Sequence, residues 1–69
     1  MHRYLVIIEE ADGKYSAYAP DLPGCVATGR TREETVERMR EAIAFHLEGL
    51  REDGMPAPDA RTYAAHIAV

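Results

Sequence analysis

The chain has no tryptophan, asparagine or glutamine, a single phenylalanine, one lysine among eight basic residues, and one cysteine. Because Cys25 is alone, no disulfide can form within the chain and no zinc site of several cysteines exists. No apolar run approaches the roughly 20 residues of a membrane span, and the start of the chain, residues 1–8, is too short and too weakly basic for a secretion signal. A cytoplasmic protein without membrane contact is expected. The net charge of −4 divides as −1 over residues 1–30, −2 over 31–52 and −1 over 53–69, so no basic patch offers itself to nucleic acid.

What is present is the composition of an ordinary globular chain, 46% hydrophobic and 29% charged over 69 residues. A chain of this size buries only about 60% of its unfolded surface, which makes an isolated monomer marginal. The core must come from packing, and self-association or a partner chain is expected.

The run Tyr4-Leu5-Val6-Ile7-Ile8 is rich in β-branched and aromatic residues and predicts a central strand over Arg3 to Glu10. Asp12-Gly13 supplies the positive-φ pair of a tight hairpin, and a second, antiparallel strand follows from Lys14 to Ala19. Pro20-Asp21-Leu22-Pro23-Gly24 is a shaped loop, with two fixed φ angles and a glycine for close approach. Cys25 to Thr28 reads as a third short strand. Thr31 is placed to cap the amide of Glu34, whose carboxylate would return to the Thr31 amide.

Val36, Met39, Ile43, Leu47 and Leu50 then form one apolar stripe, so a helix is predicted over 32–52, ended by Gly54, Pro56 and Pro58. Thr62 to Val69 alternates Tyr63, Ala65 and Ile67 against Ala64, His66 and Ala68, and predicts a last, parallel strand reached from the third by a right-handed crossover through the helix. The expected fold is α+β, in the order β-β-β-α-β, with one helix covering one face of a mostly antiparallel sheet. The other face would stay open, inviting a homo-oligomer, as a dimer or a tetramer, or a heterocomplex.

Little points to catalysis. Gly24 to Thr31 superficially has phosphate-loop spacing, with Arg30 in the place of lysine, but too little chain remains to enclose a nucleotide. His2, His46 and His66 lack the spacing of a metal site. Cys25 directly follows a Pro-Gly turn and reads as a small buried hydrophobe rather than a nucleophile. The predicted strands lack the converging carboxylates of a metal-dependent nuclease, and Glu33, Glu34, Glu37 and Glu41 read as the solvated face of the helix. No catalytic residue, metal or cofactor is expected.

The stretch Tyr15-Ser-Ala-Tyr-Ala-Pro-Asp-Leu-Pro-Gly-Cys25, then Thr28-Gly-Arg-Thr-Arg-Glu-Glu34, then a helix leaving through Gly54-Met-Pro-Ala-Pro58, resembles the HicB antitoxin family over nearly the whole chain. The resemblance implies one HicB-like domain over 1–69, a partial ribonuclease H-like fold without the nuclease site, and a non-enzymatic protein that covers a small basic, mRNA-cleaving HicA-like toxin. It makes Tyr15, Tyr18, Asp21, Leu22, Glu33, Glu34 and Glu37 the candidate partner surface, and Pro20, Pro23, Gly24 and Cys25 the structural loop. Thr35 and Arg38 depart from the alanine and asparagine usual in the family. Many members carry a further DNA-binding segment; the sequence reaches Val69 without one, so direct nucleic-acid contact is not expected. The rival expectation is an orphan homo-oligomeric module without a toxin, holding a small apolar ligand on its open face.

Overall fold

The structure is a computed structural model and describes residues 2–69. Strand β1 (Ile7–Ala11) and strand β2 (Lys14–Tyr18) form the hairpin, and strand β3 (Val26–Gly29) pairs antiparallel with the far side of β2. The turn is built on two positive φ angles, 55° at Asp12 and 74° at Gly13, which matches the right-handed twist of the strands it joins. Helix α1 (Arg32–Glu52) follows, with the bounds that its cap and apolar stripe predict.

Two consecutive turns shape the Pro20–Gly24 loop. The Leu22 amide donates to the Ala19 carbonyl at 3.0 Å across Pro20, and the Cys25 amide donates to the Leu22 carbonyl at 3.0 Å across Pro23 and Gly24. Proline at the second position and a glycine at φ 81° at the third are the requirements of a type II turn. The loop thereby drives Leu22 into the core, where it is fully buried beside Ala17, Ala19, Cys25 and Met39.

The helix ends are closed as local chemistry demands. Thr31 Oγ1 accepts from the Glu34 amide at 3.0 Å, but the Glu34 carboxylate bonds the amide of Arg30, at 2.8 Å, rather than that of Thr31. The reciprocal bond of the cap is displaced by one residue because the chain turns back on itself at Gly29-Arg30. At the other end the Met55 amide reaches the Leu50 carbonyl and the Gly54 amide the Arg51 carbonyl, with Gly54 at φ 72°. This is the paired-bond glycine cap that satisfies the last carbonyls of a helix.

Two expectations are corrected. Residues 62–69 form no strand; they are exposed and lie outside the sheet, whose order is β1-β2-β3. Without that partner, β1 is an edge and β2 is the centre, and β1 begins at Ile7 rather than Arg3. The fold described is therefore three antiparallel strands plus one helix. Side-chain alternation places the row Ile8, Ala17 and Ala27 toward α1 and the row Ile7, Tyr18 and Val26 on the open face.

Candidate functional site

The close seat of α1 on the sheet rests on a glycine. A Cβ at Gly29 would stand 2.4 Å from the Thr35 hydroxyl oxygen and 3.0 Å from the Thr35 amide nitrogen, so no side chain fits there. Thr35 is itself fully buried, and its hydroxyl donates to the Thr31 carbonyl at 2.8 Å. Arg38 braces the same junction by donating to the Thr28 carbonyl at 2.9 Å. This junction was not legible as a unit, because the polar Thr35 interrupts the apolar stripe and Gly29 reads equally well as a turn residue.

At the junction's exposed end the structure gathers Tyr15 from β2, Glu10 from β1 and Glu33 with Arg32 from the first turn of α1. The Glu10 carboxylate beside Tyr15 holds the phenol above its ordinary pKa, with partial desolvation and the Glu33 charge acting in the same direction. The phenol therefore stays neutral and can donate a hydrogen bond into an acidic rim. Glu33 and Glu37 are exposed on successive turns of α1, Glu37 being paired with Arg40 at 3.3 Å. Glu34 is already engaged by the Arg30 amide and faces Arg38 at 3.7 Å. It serves the helix start.

The remaining candidates part company. Tyr18 lies on the opposite side of the sheet, 41% exposed, in a row with Ile7 and Val26. Leu22 has no exposed surface and belongs to the core, so it leaves the candidate contact surface. Asp21 is a clamp: its carboxylate accepts the amides of Arg61 and Thr62, both at 2.9 Å, and the Thr62 hydroxyl at 2.7 Å. Those bonds, the Thr62 amide first, hold the Asp21 carboxyl below the usual carboxylate range. Burial pushes the Cys25 thiol up, so it stays protonated and a poor nucleophile.

One surface element escaped the reading of the sequence. Phe45 is 83% exposed and borders a shallow cavity of about 450 Å³ with Val26, Ala42, His46 and Leu50. It falls between positions of the apolar stripe, and the only signal available was a phenylalanine in a stretch otherwise assigned to the charged face. Among the described residues no group of three or more histidine, cysteine, aspartate or glutamate side chains could hold a metal, and no helix is long and apolar enough to cross a membrane.

Residues 4–68 match the family described as the HicB_like antitoxin of bacterial toxin-antitoxin systems. An uncharacterised 14.9 kDa protein of Haemophilus phage HP1 is 36% identical over 93% of this chain, which spans about half, 48%, of the phage protein. A UPF0150 protein of Thermoplasma acidophilum is 34% identical, the match covering 93% of this chain and 97% of the archaeal one. Among solved structures, the N-terminal domain of the Burkholderia pseudomallei antitoxin HicB superposes with a TM-score of 0.70 at 29% identity, covering 88% of this chain and 69% of that one. A HicA3 and HicB3 toxin-antitoxin complex contains a chain with a TM-score of 0.67 at 33% identity, covering 80% of this chain and 64% of that one. With the motif loop, the hairpin and the capped helix all within the matched span, the chain belongs to the HicB-like antitoxin family.

Proposed function

We propose that the protein is a non-enzymatic antitoxin that binds a small, basic HicA-like toxin and blocks its mRNA-cleaving surface, in the cytoplasm and without contacting nucleic acid itself. The observation that carries this reading is the solved HicA3 and HicB3 complex, one chain of which shares this fold at 33% identity. The physical chemistry agrees with it. A neutral Tyr15 beside exposed Glu10 and Glu33, with Glu37 one turn further along α1, offers an aromatic anchor at an acidic rim, the arrangement that steers and then holds a basic partner. The raised Cys25 pKa favours a protein without thiol chemistry.

The open row Ile7, Tyr18 and Val26 supports self-association as part of the same reading. The experiment is a pull-down of tagged protein from its native lysate, with RNA cleavage assayed on whatever small basic protein is retained. A ribonuclease that is silent in the complex and active on release supports inhibition by occlusion. Reversal of Glu33 and Glu37 to lysine should then weaken capture at least tenfold. Recovery of only the protein itself would replace this reading by the orphan oligomeric module.

A further inference from the structure

The basic residues are scattered along the sequence, yet the fold brings three of them to one hollow. Lys14 at the start of β2, Arg30 just after β3 and Arg38 on the second turn of α1 border a cavity of about 760 Å³, together with Ser16, Thr28 and Glu34. Three cations thus meet one carboxylate, on a chain whose net charge is −4. Among the described residues, Arg38, Arg40, Arg51 and Arg61 are paired with carboxylates, whereas Lys14 and Arg30 take part in no ion pair. Glu34 is already spent, on the Arg30 amide at 2.8 Å and on Arg38 at 3.7 Å. Glu9 shares the cross-strand row of Ser16 and Thr28 but lies on β1, and it does not border the cavity.

The cluster is ordered before any ligand arrives. Arg38 is held in place by the bond from its Nη1 to the Thr28 carbonyl at 2.9 Å, which leaves the rest of its guanidinium donors for another acceptor. Ser16 and Thr28 stand opposite each other in the β2–β3 register, so their side chains share a face, and both are exposed, with hydroxyls able to donate. A lysine point charge, two guanidinium groups and paired hydroxyls are a donor set for phosphate oxygens. We propose that this cavity binds a small phosphate monoester, its phosphate set among Lys14, Arg30 and Arg38 and accepting from Ser16 and Thr28. This goes beyond the antitoxin reading and holds or fails without a toxin.

Charge selects the monoester over other anions. The lining carries an excess of two positive charges, which matches a phosphate monoester, nearly a dianion at neutral pH with three strong acceptor oxygens. A phosphodiester or a single carboxylate brings only one negative charge and fewer free acceptors. Size agrees: the cavity lies within the range of about 300–1,000 Å³ typical of small-molecule sites, with room beside Ala11 for the organic part of the ester.

The test is an amide NMR titration of the full chain, alone, with methyl phosphate at constant ionic strength and about pH 7.5, above the second phosphate pKa of about 6. Dimethyl phosphate and acetate are titrated in parallel. Methyl phosphate should give saturable shifts centred on residues 14–16 and 28–30 with a Kd of about 1 mM or below, and the other two anions should bind at least tenfold more weakly. The double variant Lys14→Gln, Arg30→Gln should keep the α1 spectrum and weaken binding at least tenfold. Should it lose the folded spectrum, Arg30→Gln alone serves, with at least threefold weakening expected. Arg51→Gln, which removes a charge remote from the cavity, should leave binding unchanged. Shifts that do not saturate or that spread over the whole surface overturn the proposal. So does acetate or dimethyl phosphate binding as tightly as methyl phosphate, a double variant that binds as the wild type does, or an equal loss from Arg51→Gln, which would mark a response to overall charge alone.

Discussion

The two faces of the sheet carry rows of comparable chemistry and meet opposite fates. Toward α1 stand Ile8, Ala17 and Ala27, followed by Gly29; on the other side stand Ile7, Tyr18 and Val26. The open row holds the larger side chains, with Val26 64% and Tyr18 41% exposed, while Ala17 is buried. The helix has settled on the smaller face, not the more apolar one. Close packing explains this: two alanines and a glycine let Thr35 and Met39 approach the backbone of β2 and β3, and the contact energy of a well-packed interior depends on that distance. The bulkier row is left on the open face.

The contrast can be broken most strongly from within the core. Leu22→Ala should lower stability by about 2–5 kcal/mol in urea unfolding, since the loop that delivers Leu22 cannot collapse into the vacated space. Next in size, Gly29→Ala should cost about 1–3 kcal/mol, read by the same measurement, because its Cβ meets the Thr35 side chain and backbone and pushes α1 off the sheet. Thr31→Ala removes the bond to the Glu34 amide and should cost about 1 kcal/mol, visible as a lower melting temperature. On the open face, Tyr18→Ser should move stability by no more than about 0.5 kcal/mol. A loss of 2 kcal/mol or more there would show that the open row is covered in the protein's own oligomer.

The smallest change expected is at Asp21, and it is one of pH. Its carboxyl pKa is lowered in the folded protein, so the clamp contributes fully above the ordinary carboxylate value of about 3.9 and is lost as pH falls through the lower folded value. Asp21→Asn should abolish that acid dependence and speed hydrogen exchange at the Arg61 and Thr62 amides, with α1 unaffected. Unchanged exchange would mean that the root of the 62–69 segment is held by other contacts, among them the Tyr4 hydroxyl donating to the Pro58 carbonyl at 2.7 Å.

Much of this architecture was legible before any coordinates, for a reason of range. The Asp12-Gly13 turn, the two proline turns around Leu22, the Thr31 cap and the Gly54 exit are each decided within about five residues, by φ preferences and by bonds between near neighbours. Of the candidate surface, Tyr15 and Glu33 are brought together, whereas Leu22 turns inward to packing and Asp21 tethers the Arg61–Thr62 segment at the surface. Nothing local distinguishes a leucine that contacts a partner from one that fills the core.

By itself, then, the sequence determined the hairpin, the shaped loop, the length and caps of the helix, and the family, because short-range stereochemistry and residue identity suffice for these. Only the tertiary structure decided which face of the sheet α1 covers, that β1 is an edge, that Gly29 and Thr35 touch, and that Asp21 reaches Thr62 across 41 positions. Those outcomes depend on contacts between distant segments, where competing pairings differ by little free energy and no local pattern of residues chooses among them.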